Sequence, residues 1–187
     1  MSRTGASSST ASNIVLGAGV LKYKLLGTEG EYTQLGATRG GATFDPGMPM
    51  RDIEFDGSQG GTKGLVVRDK GNPTLSCTIL EITANNLALL NGSKDTAGVI
   101  TYKNIIENTD YIKELVWEGL RIDHETSGAK LVRITLNNVL VREPSQLTSE
   151  DNGEATISVV FSAHFDLAES KDAYGYAPIP AKYEIVS

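Results

Sequence analysis

Apolar and polar residues alternate with period two over most of this chain, the period of a strand with one covered face. Over 155–166 the pattern is clearest: Ile157, Val159, Phe161, Ala163 and Phe165 inward, Thr156, Ser158, Ser162, His164 and Asp166 outward. Residues 73–82 repeat it, with Leu75, Cys77 and Ile79 set against Thr74, Ser76 and Thr78 behind an opening Pro73. Further strands are predicted over 20–25, 32–35, 43–44, 48–55, 111–123 and 130–136. Turns separate them: GTEGE, with Gly27 and Gly30 supplying positive φ; Asp45-Pro46-Gly47; and a polar 124–129 turn that makes its two flanking strands a hairpin. Residues 143–154 read as an acidic loop. One helix stands out, Ala84–Leu90, with Thr83 as N-cap, Asn91-Gly92 as its stop, and Leu87 and Leu90 as the edge that packs on a sheet.

Many short strands and one helix predict a mostly-β chain, a two-sheet β-sandwich or barrel with one short flanking helix. The main domain is placed at 13–170. Before it, 1–12 is Ser/Thr-rich with almost nothing to bury, a flexible arm by composition. After it, 171–187 forms a Pro-containing tail whose Tyr176, Ile179, Tyr183 and Ile185 lie outside any evident core element. These four are expected to dock on a neighbouring subunit or on the domain's flank.

Residues 36–81 hold the most distinctive pattern. Asp52, Glu54 and Asp56 alternate with Ile53 and Phe55, so a strand over 48–55 would set all three acids on one wet face. The glycines that follow (Gly57, Gly60, Gly61 and Gly64, with Lys63 among them) are too dense for a packed element and predict the tip of a long loop.

Composition narrows the function. The 187 residues suit one domain, and a net charge of −6 argues against tight, nonspecific gripping of nucleic-acid phosphates. A single Cys77 excludes an internal disulfide and a cysteine-based zinc site, and no cofactor is expected. No leader pattern and no apolar run near the roughly 20 residues of a bilayer span occurs, so the expectation is a chain made in the cytoplasm, soluble as a subunit, without a membrane partner.

Three motif-like stretches dissolve on inspection. Asp52-x-Glu54-x-Asp56-Gly57 begins like a calcium loop, but Lys63 stands where the closing carboxylate belongs. Gly61-Thr62-Lys63-Gly64 breaks the phosphate-loop spacing, and Gly17-Ala18-Gly19-Val20 lacks the third glycine of a dinucleotide fingerprint. The two histidines, His124 and His164, accompany no nucleophile elbow, and Cys77 and Trp117 read as core residues. No enzyme activity is expected.

The stretch LGATRGGATFDPGMPMRDIEFDG, followed by KG and NPTLSCTILEITANNLALL, resembles the major tail tube protein of long, non-contractile-tailed bacteriophages. The strands LVRITLNNVLV and EATISVVFSAHFDLA are similar to that family's C-terminal half in order and spacing, so the likeness runs over roughly 13–170, with 51–57 its most specific part. The resemblance implies a homo-oligomer in which hexameric rings join their inner strands into one β-barrel and stack into a tube. It implies a virion tail location, with tail terminator, distal tail and tape measure proteins as partners. Double-stranded DNA would pass through the tube at ejection without specific binding. On that reading Asp52, Glu54 and Asp56 are candidates to line the bore, 57–64 to contact the next ring, and the tail to contact a neighbouring subunit. A tube component of a contractile tail or secretion-type injection machine, and a free-standing β-sandwich binding module, remain the alternatives.

Overall fold

The computed structural model describes residues 15–27, 30–69, 71–90, 92–122, 129–143, 145–149, 151, 153–169, 171 and 177–186; for 15–18, 120–122 and 129–131 it describes the backbone alone. The 1–12 arm, the turn holding His124, and Tyr176 lie outside these residues.

The fold is mostly β with one short α-helix, as the alternation predicts. The strands are β1 (Val15–Leu25), β2 (Thr33–Gln34), β3 (Thr38–Asp45), β4 (Met50–Asp52), β5 (Val66–Arg68), β6 (Thr74–Ile79), β7 (Gly92–Lys94) and β8 (Ile100–Tyr102). They continue with β9 (Ile112–Ile122), β10 (Ala129–Val141), β11 (Gln146–Thr148), β12 (Thr156–Ala163) and β13 (Ala181–Val186), and the helix α1 spans Ala84–Leu89. Nine strands form one sheet in the order β2-β1-β9-β10-β12-β6-β3, with β11 beside β12 and β13 beside β10. The expected two layers are therefore halves of one continuous sheet that turns two corners.

The first corner lies in β10, whose thirteen residues outlast any single partner. One edge of β10 pairs with β9. The other pairs with β13 through Leu131–Leu136 and with β12 through Val139–Val141. Between those stretches Asn138 takes φ +51°, alone among the described non-glycine residues in having positive φ. Asparagine tolerates that conformation better than most side chains. Its carbonyl accepts from the His164 amide at 3.0 Å, which ties the corner to the end of β12. At the second corner the chain leaves β1 and joins β6. The Leu35 amide donates to Leu21 and, two residues past Leu35, the Ala37 carbonyl accepts from Leu80, both at 2.9 Å.

The core lies inside the folded sheet. Phe161, Leu75, Ile79, Leu115, Leu136 and Ile157 are fully buried there, and burial strictly alternates along β6. Helix α1 closes one end: Thr83 caps it by accepting from the Asn86 amide at 3.1 Å, and the Asn86 side chain donates to the Leu35 and Glu81 carbonyls. Trp117 packs half-buried against the core, across the backbone of two glycines.

Several sequence expectations change. The strand over 155–166 ends at Ala163, so Phe165 is exposed rather than inward, while Ser162, opposite Leu140 of β10, is buried rather than outward. The helix ends one residue early, at Leu89, and Gly92 opens the small β7–β8 hairpin instead of only stopping the helix. Part of the acidic 143–154 loop is β11. Gly27 has positive φ as expected, at +79°; Gly30 does not.

Candidate functional site

The segment over 181–186, expected to dock on a neighbouring subunit or on the domain's flank, lies on the flank as a regular strand, β13, paired antiparallel with β10 without a register shift. Ala181, Tyr183 and Ile185 alternate with Lys182 and Glu184, and the short run is completed by a long partner strand. Ile179 is exposed just before it.

The outer edge of β13 meets no strand among the described residues. The Asn137 amide donates to the Pro180 carbonyl at 2.8 Å, which fixes the hydrogen-bond alternation along the pair. Lys182 and Glu184 consequently turn their backbone groups toward β10, and Ala181, Tyr183 and Ile185 turn theirs outward. Tyr183 and Ile185 are also 60% and 55% exposed. An unpaired edge of this kind, with large apolar side chains beside it, invites another strand. Among the other edges, β3 is bulged between Arg39 and Ala42 at Gly40 and Gly41, β11 has three residues, and β1 is bulged between Leu16 and Val20.

A second open edge lies at the far side of the same half-sheet. There β1 pairs with β2 only at Lys22 and Tyr23, which leaves Val15–Val20 without a strand on that side among the described residues. Because β1, β9, β10 and β13 alternate in direction, the two open edges run antiparallel to each other.

The face of these four strands turned from the core is polar. Glu118 on β9 is its centre: Lys22 Nζ of β1 reaches Glu118 Oε2 at 2.6 Å, and Arg133 of β10 donates to Oε1 through Nη2 at 2.7 Å and Nε at 2.9 Å. Arg133 Nη1 also meets Glu184 Oε1 of β13 at 3.4 Å, and Lys182 Nζ lies 3.4 Å from Glu184 Oε2. Charge thus alternates in one chain across all four strands. Val116 and Thr135 are buried beneath it. At its border the Tyr32 hydroxyl donates to Glu114, and that bond, aided by burial, pushes the phenol up to about 12.

Lys22 first, then Arg133, holds the Glu118 carboxyl below the usual range against the opposing effect of burial. The ionised form therefore stabilises the fold above the unfolded-state pKa, and that contribution is lost as pH falls through the lower folded value. Glu118→Gln is expected to lose about 1–2 kcal/mol at neutral pH. Urea unfolding at neutral pH and well below the carboxylate range checks this: the deficit should shrink in acid, and an equal deficit at both would assign it to packing.

The candidate bore acids sit elsewhere. Strand β4 ends at Asp52, and one further ladder bond, from the Ile53 amide to Leu65 at 2.7 Å, closes the regular pairing. Glu54 and Asp56 lie in the following loop and turn, so the three acids do not share one strand face. Alternation misleads here because no sheet covers Ile53 and Phe55, which are both exposed. Strands β4 and β5 form a separate two-stranded arm, with Gly57, Gly60, Gly61, Lys63 and Gly64 all in its connecting loop. Gly57, Gly60 and Gly64 have positive φ there, and the Asp52 carboxylate folds over Gly61.

No cluster of potential metal ligands occurs among the described residues. Cys77 is buried, which raises its thiol to about 12 and suits a small core residue. His164 stacks edge-on against Tyr111 and approaches the Asn138 carbonyl at 3.2 Å through Nδ1, a structural role at the corner. No helix among the described residues is long and apolar enough to cross a membrane.

No family model and no curated protein matches the chain. Among solved structures, one described as the crystal structure of Hcp protein is similar at a TM-score of 0.38 and 10% identity, over 78% of this chain and 87% of that one. A likeness at that level adds nothing to the reading of the site, which stands on the edges and faces of the sheet.

Proposed function

We propose that this chain is a structural subunit that closes into rings by pairing β13 of one copy with β1 of the next, and that the rings form the tail tube of a long, non-contractile bacteriophage tail. The observation that carries the ring is the pair of open, oppositely directed edges on one half-sheet. A rotated second copy sets β13 beside β1 in the antiparallel sense, and repetition of that heterologous contact closes a ring. The bulge at Gly19 in β1 adds the local twist that a closed wall requires. The resemblance over 13–170 supplies the phage tail and the six-fold count.

Closure also selects the inner face. The second half of the sheet and the core lie on one side of β1-β9-β10-β13 and need the wider circumference, so the polar face turns inward. Six copies give about 24 strands and a backbone diameter of roughly 40–50 Å. That leaves room for duplex DNA. Glu114 and Glu118 then belong to the wall, whereas Asp52, Glu54 and Asp56 travel with the arm. Lys22 and Arg133 are committed to Glu118, so they offer little to phosphate, consistent with a duplex passing without being held.

Negative-stain microscopy and light scattering over a concentration series test the assembly: rings, and tubes at high concentration, are expected. A monomer at every concentration and salt overturns the proposal. A further expected result concerns the wall. Glu118→Gln tubes should retain duplex DNA at low salt that wild-type tubes release, because Lys22 loses its carboxylate and Arg133 keeps only Glu184; equal retention would remove the polar face from the bore.

A further inference from the structure

The polar face of β1, β9, β10 and β13 is close to charge balance, and the balance is made of groups that titrate far apart. Lys22 and Lys24 stand on β1, Glu114 and Glu118 on β9, Arg133 on β10, and Lys182 and Glu184 on β13. Alternation sets Lys22 and Lys24 on one side of β1, with Tyr23 between them in the core. Thr135 and Asn137 of β10 add neutral groups, as do Gln34 of β2 and the Tyr32 hydroxyl, which is bonded to Glu114. Among the side chains described on this face, four cations therefore meet three carboxylates.

The two kinds of group answer acid differently. Lysine and arginine keep their charge where aspartate and glutamate lose theirs. Lys22 and Arg133 now lie 2.6 and 2.7 Å from Glu118, and Arg133 and Lys182 each lie 3.4 Å from Glu184. Below the carboxylate range these three cations lose their ionic partners together, while the sheet still holds them on one face.

We infer that this face is an acid-gated surface for a phosphate polymer, indifferent to duplex DNA near neutral pH and able to hold it in acid. The chemistry selects the partner. A ligand that carried carboxylates would lose its own charge over the same range, whereas the DNA phosphates stay ionised. Lys22 first, then Arg133, holds the Glu118 carboxyl below the usual range, so the centre of the face opens in stronger acid than an isolated glutamate would need. Three freed cations each add about 0.9 to the slope of log affinity against log salt. A fourfold rise in salt should then weaken the acid-state binding on the order of 40-fold. The surface is present on the single subunit, and its place inside a tube rests on the assembly proposed above.

The test is retention of full-length subunits on a duplex-DNA column, read as the salt that elutes them, with circular dichroism at each pH to verify the fold. Wild type should pass at neutral pH and be retained in acid. The triple variant Glu114→Gln/Glu118→Gln/Glu184→Gln should be retained already at neutral pH. Glu143→Gln/Asp151→Asn/Glu169→Gln makes the same change of net charge at three exposed acids in loops outside the strands of this face, and it should pass like wild type. Equal retention of the two triple variants overturns the inference, because net charge alone would then account for it. Lys24→Gln/Lys182→Gln leaves Glu118 and its two partners in place and should elute in acid at lower salt than wild type. Elution at the wild-type salt overturns the inference whether or not the glutamine triple variant folds. Subunits that behave as expected but never form rings uphold the surface and overturn the assembly reading instead.

Discussion

Tyr183→Pro is expected to give a folded subunit that no longer forms rings. Proline removes a backbone donor and fixes φ near −65°. At position 183 the lost donor points to the open edge, so the ladder between β13 and β10 keeps its bonds. A neighbouring strand would lose that bond and be pushed off its register at the next positions. With two or three interchain hydrogen bonds forfeited at about 1 kcal/mol each, every interface weakens on the order of a hundredfold. Lys182→Pro is the control with the opposite signature, since its amide faces β10 and the substitution attacks the subunit itself. Sedimentation velocity for association and thermal unfolding for the fold separate the two. Rings surviving in Tyr183→Pro at wild-type concentrations would exclude this edge as the interface.

Gly19→Ala is expected to be the most damaging small substitution in the sheet. Gly19 has φ +70°, which an alanine resists by roughly 1–2 kcal/mol. Its added methyl would also fall 2.2 Å from Nε1 of Trp117, and a methyl added to Gly119 on the neighbouring strand would fall 2.3 Å from the same indole. The half-buried ring lies across two bare backbones, so any retreat would give up its packing on the core. Strain and overpacking together place the loss at about 2–5 kcal/mol. Trp117→Leu should cost stability alone yet recover part of the loss when combined with Gly19→Ala, a coupling that denaturant unfolding of the four proteins measures. Simple additivity would mean that backbone strain alone is responsible.

Both predictions rest on positions whose meaning the sequence conveys unevenly. Strands buried on one face were legible: β6 alternates as written and β12 does so up to Phe161, and the Thr83 cap and the helix follow from local rules. The mostly-β class with one helix follows from the same signals. Gly19 reads in sequence only as a flexible joint, because its need for positive φ and close approach comes from a tryptophan about a hundred residues away. Strand β13 is missed because an edge strand exposed on one side has weak alternation, and its pairing is a long-range event. The 48–55 stretch fails in the opposite direction. Its alternation is real, but only a covering layer turns alternation into a buried face, and the arm has no such layer within the chain.

The row of paired charges from Lys22 to Lys182 has a consequence for friction. A wall of bare carboxylates would carry its own cloud of mobile cations, whose thickness changes with ionic strength. A polyanion sliding past would drag and exchange that cloud, and its speed would follow the salt. In this row both carboxylates, Glu118 and Glu184, are already paired with side chains fixed in the sheet, so few free ions gather over it. Passage along such a wall should proceed at nearly the same rate in dilute and in concentrated salt.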